Sequence, residues 1–135
     1  FATCFYAVLH ANTGKLIYCN AGHNYPLIIK RDGRIEELIE GGLLLGVFPH
    51  ASYQSGERII EPGDILFMYT DGLNEARDDQ DQEYGETRIK ENVADMRNHP
   101  AEMICSHVVK NVKQFSAGSD DMDDMTIVIV KAMEY

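Results

Sequence analysis

Apolar residues alternate with polar ones, or run together, in six short stretches of the first half of the chain. Turn-forming residues such as Asn12-Thr13-Gly14 and Asp32-Gly33 separate these stretches, and the pattern predicts β-strands joined by tight turns. The predicted strands are Ala2 to His10, Lys15 to Asn20, Pro26 to Lys30, Ile35 to Ile39, Tyr53 to Ile60 and Asp64 to Thr70. A flexible apolar loop is expected from Gly41 to Gly46.

In the second half of the chain the apolar residues change to helical spacing. One helical turn is predicted from Leu73 to Arg77, and a longer helix from Glu86 to Arg97. A third helix begins with Pro100 at its first position and ends before Gly118, a residue suited to a C-cap. A last strand runs from Thr126 to about Ala132. Strands followed by helices and one further strand predict an α+β fold with mostly antiparallel sheets.

Two groups of acidic residues lie at the ends of predicted strands. Asp71 follows the most apolar strand directly, and the acidic segment Asp120 to Asp124 precedes the last strand. If these strands are antiparallel neighbours, Asp71 and Asp123 meet at one sheet edge, where their carboxylates repel each other unless a proton or a cation separates them. Oxygen ligands suit Mg²⁺ or Mn²⁺, so the residues indicate a divalent metal site. The alternatives are a turn residue for Asp71 and a loop charge or strand-entry cap for Asp123.

Two other polar segments are weaker candidates for a site. Asp79, Asp81 and Glu83 have the alternating spacing of a calcium-binding loop, but Tyr84 stands where that loop requires glycine. A solvated acidic loop is therefore the favoured interpretation. His23 lies in a glycine-containing loop and is able to form hydrogen bonds near a site, although a structural or exposed loop histidine is favoured.

Composition narrows the classes of protein that the chain can represent. Its 135 residues suit one domain or part of one, and 44% hydrophobic residues are enough for a core. A net charge of −10 disfavours nucleic acid as a partner. No apolar run approaches the ~20 residues that span a bilayer, so no membrane insertion is expected in this segment. Three cysteines without metal or redox spacing indicate reduced thiols in a cytoplasmic protein. The chain opens on Phe1 in strand-like sequence, which suggests a fragment.

An ordered set of short motifs carries a resemblance to a known family. The motifs are Phe1-Ala2-Thr3-Cys4-Phe5-Tyr6, Asn20-Ala21-Gly22-His23-Asn24-Tyr25-Pro26-Leu27, Gly46-Val47-Phe48-Pro49, Glu61-Pro62-Gly63-Asp64, Tyr69-Thr70-Asp71-Gly72-Leu73-Asn74-Glu75-Ala76, Tyr84-Gly85 and Asp123-Asp124-Met125-Thr126. The chain resembles the C-terminal portion of the SpoIIE/RsbU-type Ser/Thr phosphatase domain, within the metal-dependent protein phosphatase (PPM) superfamily. Each motif is weak alone, whereas the ordered set is specific and covers essentially the whole chain.

The resemblance implies a fold, an activity and a set of partners. The fold is an αββα sandwich of two mostly antiparallel sheets with flanking helices. The activity is hydrolysis of phosphoserine or phosphothreonine by a water that a dinuclear Mn²⁺ or Mg²⁺ centre activates, without a catalytic side chain or a phosphoenzyme. By position, Asp71 and Asp123 match metal ligands, and Asp124 is an adjacent supporting acid of the metal site. The implied substrate is a phosphorylated STAS-domain protein, an anti-sigma antagonist in partner-switching signalling that regulates a sigma factor.

The chain departs from the family in one respect. Two motifs that supply further metal ligands in the family, a Gly-Asp-Tyr/Phe type and a second Asp-Gly type, do not occur before Phe1. Residues 1–135 are therefore expected to be the C-terminal part of a single PPM-type domain, without its N-terminal strands and helices, and to bind metal poorly alone. A catalytically inactive module that docks a STAS or kinase partner is the main alternative, and an acidic metal buffer has less support. Homodimer formation is left open.

Overall fold

The computed structural model describes residues 1–120 and 122–133 and contains strands and helices in the predicted order. The elements are β1 (Cys4–His10), β2 (Lys15–Ala21), β3 (Leu27–Ile29), β4 (Ile35–Glu37), β5 (Gly41–Gly42), β6 (Gly56–Ile59), β7 (Ile65–Tyr69), α1 (Asp71–Asn74), α2 (Gly85–Asp95), α3 (Ala101–Phe115) and β8 (Ile127–Lys131). No helix in these ranges is long and apolar enough to cross a membrane.

The first sheet is built around β2. β1 pairs antiparallel with β2 along the whole of both strands, because the predicted turn at Gly14 reverses the chain. Gly14 has a φ of +71°, and a Cβ atom there would lie 2.2 Å from the carbonyl oxygen of Ile60, so this turn requires glycine. On its other edge, β2 pairs antiparallel with β6 and, near its end, parallel with the short β5.

The second sheet has the strand order β4-β3-β7-β8 and is antiparallel throughout. Its two faces meet different partners, since alternate residues of a strand point to opposite sides. Phe67 of β7 packs in a core with the helices, whereas Leu66 packs in a core with the first sheet. The helix-side core also holds Ile89, Val93, Ile104, Val108 and Val112, whose spacing is helical. The predicted α+β fold with two mostly antiparallel sheets and flanking helices is confirmed.

The outer face of the first sheet carries apolar side chains that remain in contact with solvent. Phe5 and Ala7 of β1 pack inward against the core between the sheets. The alternate residues Tyr6 and Val8 are 67% and 41% exposed, and Ile59 of β6 is 52% exposed. The described layers are therefore helices, second sheet and first sheet, in that order, with an apolar outer surface on the last.

Several predicted element boundaries differ from the observed ones. The loop expected at Gly41 to Gly46 contains β5, because Gly41 has no side chain and approaches Asn20 closely enough to pair with it. The strand predicted from Tyr53 begins only at Gly56, and β1 begins at Cys4. α1 begins at Asp71 and ends at Asn74, before the predicted turn is complete.

The ends of the third helix were also predicted differently. Pro100 is its N-cap rather than its first helical residue, and Ser116 is its C-cap. Gly118 was therefore wrong as the C-cap, and its φ is not among the positive values. Its small size matters in another way, because a Cβ atom there would lie 2.9 Å from Cβ of Asp79.

Candidate functional site

The strands that carry the two acidic groups are neighbours, which was the condition for Asp71 and Asp123 to meet at one edge. β7 and β8 pair antiparallel, with Tyr69 opposite Ile127 at the end of the ladder. The pairing continues beyond the strands, since Thr70 N–H donates to the carbonyl oxygen of Thr126 at 3.1 Å. In return, Thr126 N–H donates to Oγ1 of Thr70 at 3.0 Å. The C-terminal end of β7 and the segment before β8 therefore lie side by side at one edge of the second sheet.

Asp71 is placed at this edge by the change from strand to helix. Thr70 has extended backbone angles and caps α1, so Asp71 is the first helical residue and is exposed. The next residue, Gly72, is buried against the neighbouring segment, and a Cβ atom there would lie only 2.1 Å from the carbonyl oxygen of Asp124. The backbone of residues 71–72 thus lies so close to that of residues 123–125 that a residue larger than glycine at position 72 would not fit.

Asp123 and Asp124 lie on the opposite side of this contact. Both are exposed, and a carboxylate oxygen of Asp123 accepts the N–H of Asp124 at 2.8 Å, which orients the side chain locally. Asp123 also lines a cleft of about 320 Å³ next to α1. The structure therefore brings the segments of all three predicted metal-site residues, Asp71, Asp123 and Asp124, to one edge.

The donors at this edge fit a hard divalent cation only in part. Carboxylate oxygens are ligands that Mg²⁺ and Mn²⁺ prefer, and these are exposed enough for water to complete a coordination shell. However, within residues 1–120 and 122–133 no group of three or more His, Cys, Asp or Glu side chains is close enough to hold a metal. The described chain thus offers part of a ligand set.

A second loop, between β2 and β3, is attached to α1. The side chain of Asn24 donates to Oδ1 of Asn74 at 3.1 Å, so this loop lies beside the helix that begins with Asp71. His23 is half-buried, and its Nδ1 lies 3.0 Å from Oγ1 of Thr3. These contacts agree with the structural interpretation of His23. The link between Asn24 and Asn74 was not predicted from the sequence, although both residues stand in the motifs that carry the family resemblance.

Asn20, at the end of β2, is only 2% exposed, and the oxygen and nitrogen of its side-chain amide differ in their contacts. Its Oδ1 accepts the N–H of His23 at 2.8 Å, which shapes the loop. Its Nδ2 has no hydrogen-bond partner among the described residues. A buried amide nitrogen without a partner costs free energy.

The acidic loop from Asp78 to Glu83 is held by its own contacts, as expected for a solvated loop. A carboxylate oxygen of Asp78 accepts the N–H groups of Gln80 and Gln82, both at 2.9 Å. Arg77 forms ion pairs with Asp81 and Glu83. Arg77 also lines the cleft beside Asp123. This position was not predicted from the sequence, because the cleft forms only when residues 72–77 meet residues 122–123.

The two mostly antiparallel sheets, with helices packed on one side, are similar to the fold of solved PP2C phosphatase domains. The phosphatase domain of the cell-fate determinant SpoIIE from Bacillus subtilis, in a Mn-presoaked crystal, superposes with a TM-score of 0.74 at 17% identity. The match covers 98% of this chain and 57% of that one. Residues 1–133 match the family described as Stage II sporulation protein E (SpoIIE), and the chain belongs to this family.

Two curated relatives are considerably longer than this chain. Protein IcfG of Synechocystis sp. is 30% identical over 131 residues, which are 96% of this chain and 20% of IcfG. Phosphoserine phosphatase RsbU of Bacillus subtilis is 26% identical over 138 residues, covering 97% of this chain and 39% of RsbU. The resemblance to the SpoIIE/RsbU-type phosphatases is thereby confirmed, and the chain spans less than half the length of either relative.

Proposed function

We propose that this chain contributes to metal-dependent hydrolysis of phosphoserine or phosphothreonine on a regulatory protein. The observation that carries the proposal is the convergence of Asp71 with Asp123 and Asp124 at one edge of the second sheet. Similarity to a phosphoserine phosphatase supports the reaction class. Partner switching, with a phosphorylated STAS-domain anti-sigma antagonist as the substrate, follows from the resemblance to the SpoIIE/RsbU type.

Asp71 and Asp123 are the residues that would hold a Mn²⁺ or Mg²⁺ ion, with Asp124 as a supporting acid. A bound ion would lower the pKa of a coordinated water and neutralise charge on the phosphoryl group. The chain's own contribution is positional. The ladder between β7 and β8 and the contact at Gly72 hold the two acidic segments side by side, and Asp71, Asp123 and Asp124 are exposed to solvent.

We propose further that residues 1–135 are the C-terminal part of one PPM-type domain. The exposed apolar face at Tyr6, Val8 and Ile59 supports this, because a sheet face of this kind is normally covered by another layer. Among the described residues, the acidic edge offers no group of three possible metal ligands, which supports it as well. A cytoplasmic location agrees with the three free cysteines, each of which is half-buried.

The second candidate is a phosphatase-like binding module that has lost catalysis. The observation that favours it is the lack of any three-residue metal-ligand group in the part of the chain that the structure describes. In this case the acidic edge would contribute to docking a STAS or kinase partner. The two candidates differ in their response to metal.

Calorimetric titration with Mn²⁺ separates the two candidates. The titration is made on this chain and on the longer natural protein that contains it. For a split metal site, we expect tight binding only in the longer protein, together with Mn²⁺-dependent hydrolysis of a phosphorylated STAS-domain protein. Absence of Mn²⁺ binding from both would instead favour the binding module.

Variants of the longer protein assign the acidic residues. Asp71→Asn and Asp123→Asn should each weaken Mn²⁺ binding and slow hydrolysis while circular dichroism shows an intact fold. Asp79→Asn is the matched control, since Asp79 is also an exposed acid but lies in the loop after α1. Unchanged turnover of the Asp71 and Asp123 variants at limiting Mn²⁺ would argue against their assignment as ligands.

A further inference from the structure

A positive side chain lies in the same cleft as Asp123. The cleft is formed between α1, the residues that follow it and the segment before β8, and its lining residues are Gly72, Glu75, Ala76, Arg77, Met122 and Asp123. Arg77 is the one cation among these lining residues, and it stands against two carboxylates. A phosphate monoester that entered the cleft would meet repulsion from Glu75 and Asp123, so Arg77 is the side chain there that attracts it.

The backbone holds Arg77 firmly at this position. Arg77 and Glu83 form an isolated antiparallel bridge. On either side of the bridge, Tyr84 N–H donates to the carbonyl oxygen of Ala76 at 2.7 Å and Asp78 N–H donates to that of Gln82 at 3.0 Å. Residues 76–84 therefore form a short hairpin-like loop directly after α1. Arg77 is the first bridged residue of this loop, and its side chain carries the guanidinium group.

The present partners of the guanidinium group are exposed carboxylates. Arg77 donates from Nη1 to Asp81 at 2.8 Å and from Nη2 to Glu83 at 3.1 Å. The Asp81 side chain is 81% exposed and the Glu83 side chain 50% exposed. Ion pairs between exposed groups contribute little free energy, so a stronger anion can replace these partners. A phosphoryl group is such an anion, because two of its oxygens match the planar fork of guanidinium donors.

We propose that Arg77 is a phosphate-binding residue, which donates hydrogen bonds to the phosphoryl oxygens of the phosphoprotein substrate. In the free protein Asp81 and Glu83 occupy its donors, and substrate binding exchanges them for phosphate. This inference rests on the proposed phosphatase function and adds a recognition element that lies outside the metal ligands. Arg77 accordingly contributes to substrate affinity, whereas Asp71 and Asp123 contribute to metal affinity.

The competing explanation is that Arg77 only fastens the acidic loop. The two explanations predict different results for the partners of Arg77. If Arg77 only fastens the loop, removing Asp81 and Glu83 harms the protein as much as removing Arg77. If Arg77 binds phosphate, removing the two acids frees its donors, and phosphate binding stays the same or becomes tighter.

The test uses the longer natural protein, loaded with Mn²⁺, and two probes: inorganic phosphate and p-nitrophenyl phosphate. Arg77→Gln should weaken phosphate binding, measured by calorimetry, by roughly tenfold to a hundredfold, the loss typical of a hydrogen bond to a charged group. For p-nitrophenyl phosphate, kcat/KM should fall by a similar factor, and Mn²⁺ affinity should not change. Arg77→Lys should recover part of the loss, since it keeps the charge without the fork.

The double variant Asp81→Asn/Glu83→Gln is the matched control. We expect it to bind phosphate at least as tightly as the wild type. Equal phosphate binding by Arg77→Gln and the wild type would overturn the inference. So would an equal loss of phosphate binding in Arg77→Gln and the double variant, accompanied by equally lowered melting temperatures. Failure of the proposed function gives a different result. If the wild type binds phosphate but hydrolyses no p-nitrophenyl phosphate, catalysis is contradicted, whereas the calorimetric comparison of phosphate binding by the wild type and Arg77→Gln still tests the inference.

Discussion

Replacement of Gly72 by alanine is the sharpest test of how the fold supports the acidic edge. A Cβ atom at position 72 would lie 2.1 Å from the carbonyl oxygen of Asp124, where contacts under 3.0 Å essentially never occur. Because the obstructing atom belongs to the backbone, the segments of residues 71–72 and 123–125 must separate by about 1 Å. Metal–ligand distances in a formed site lie within about 0.2 Å of their standard values, so a shift of the two segments disturbs the placement of Asp71 and Asp123.

For Gly72→Ala we therefore expect much weaker Mn²⁺ binding in the longer protein that is proposed to contain this chain. The free energy of unfolding should also fall, by about 1–3 kcal/mol, which is typical of a methyl group forced into a packed site. Calorimetric titration with Mn²⁺ measures the first effect, and urea unfolding in the presence of a chelator measures the second.

Gly85→Ala is the matched control for this experiment. Gly85 has a φ of +81° and no heavy atom within 4 Å of its Cβ position. Alanine there costs about 1–2 kcal/mol of backbone strain, which is comparable to the loss at position 72, but it moves nothing at the acidic edge. The reasoning is refuted if Gly72→Ala binds Mn²⁺ as the wild type does, or if Gly85→Ala weakens Mn²⁺ binding equally.

Three further predictions concern the supporting structure. Asp64→Asn should lower the free energy of unfolding by about 3 kcal/mol in urea titrations, because it removes the nearer carboxylate, at 2.8 Å, from the largely buried ammonium of Lys30 and leaves it only the exposed Glu61 at 3.8 Å. The hydroxyl of Tyr18 donates to Glu40 and holds the pKa of that carboxyl below its ordinary value of 4.5. Stability from this contact is complete above pH 4.5 and is lost as the pH falls through the lower folded pKa, so Glu40→Gln should flatten the acid limb of a plot of melting temperature against pH. Ile104→Ala, on the buried face of α3, should lower the free energy of unfolding in urea by about 2–5 kcal/mol without altering Mn²⁺ affinity.

Each of these predictions has an exposed counterpart in the same chain. Asp32→Asn removes an acid from an exposed ion pair with Arg34 and should leave the unfolding curve unchanged. Glu91→Gln alters an exposed glutamate on α2 and should keep the acid limb of the wild type. Met103→Ala truncates a half-exposed side chain next to Ile104 and should have a small effect. If a control variant changes the measured stability as much as the variant with which it is paired, the structural reason given for that pair is wrong.

The local features of the fold were predicted from sequence because their causes are local. The Asp32-Gly33 turn produced the hairpin between β3 and β4, with Gly33 at a φ of +91°. The apolar spacing in α3 placed Ile104, Val108 and Val112 on its buried face. The antiparallel contact of β7 with β8 was only assumed from the sequence, and the structure supplies it.

The sequence by itself determined the order of strands and helices, the turns, and the acidic residues Asp71, Asp123 and Asp124 as candidates for a metal site. Only the tertiary structure decided that β5 lies beside β2, that Asn24 ties its loop to Asn74, and that Arg77 shares a cleft with Asp123. The reason is physical. Turns and periodicity depend on neighbouring residues, whereas these contacts join segments about 20–50 residues apart, whose proximity depends on how the sheets and helices pack.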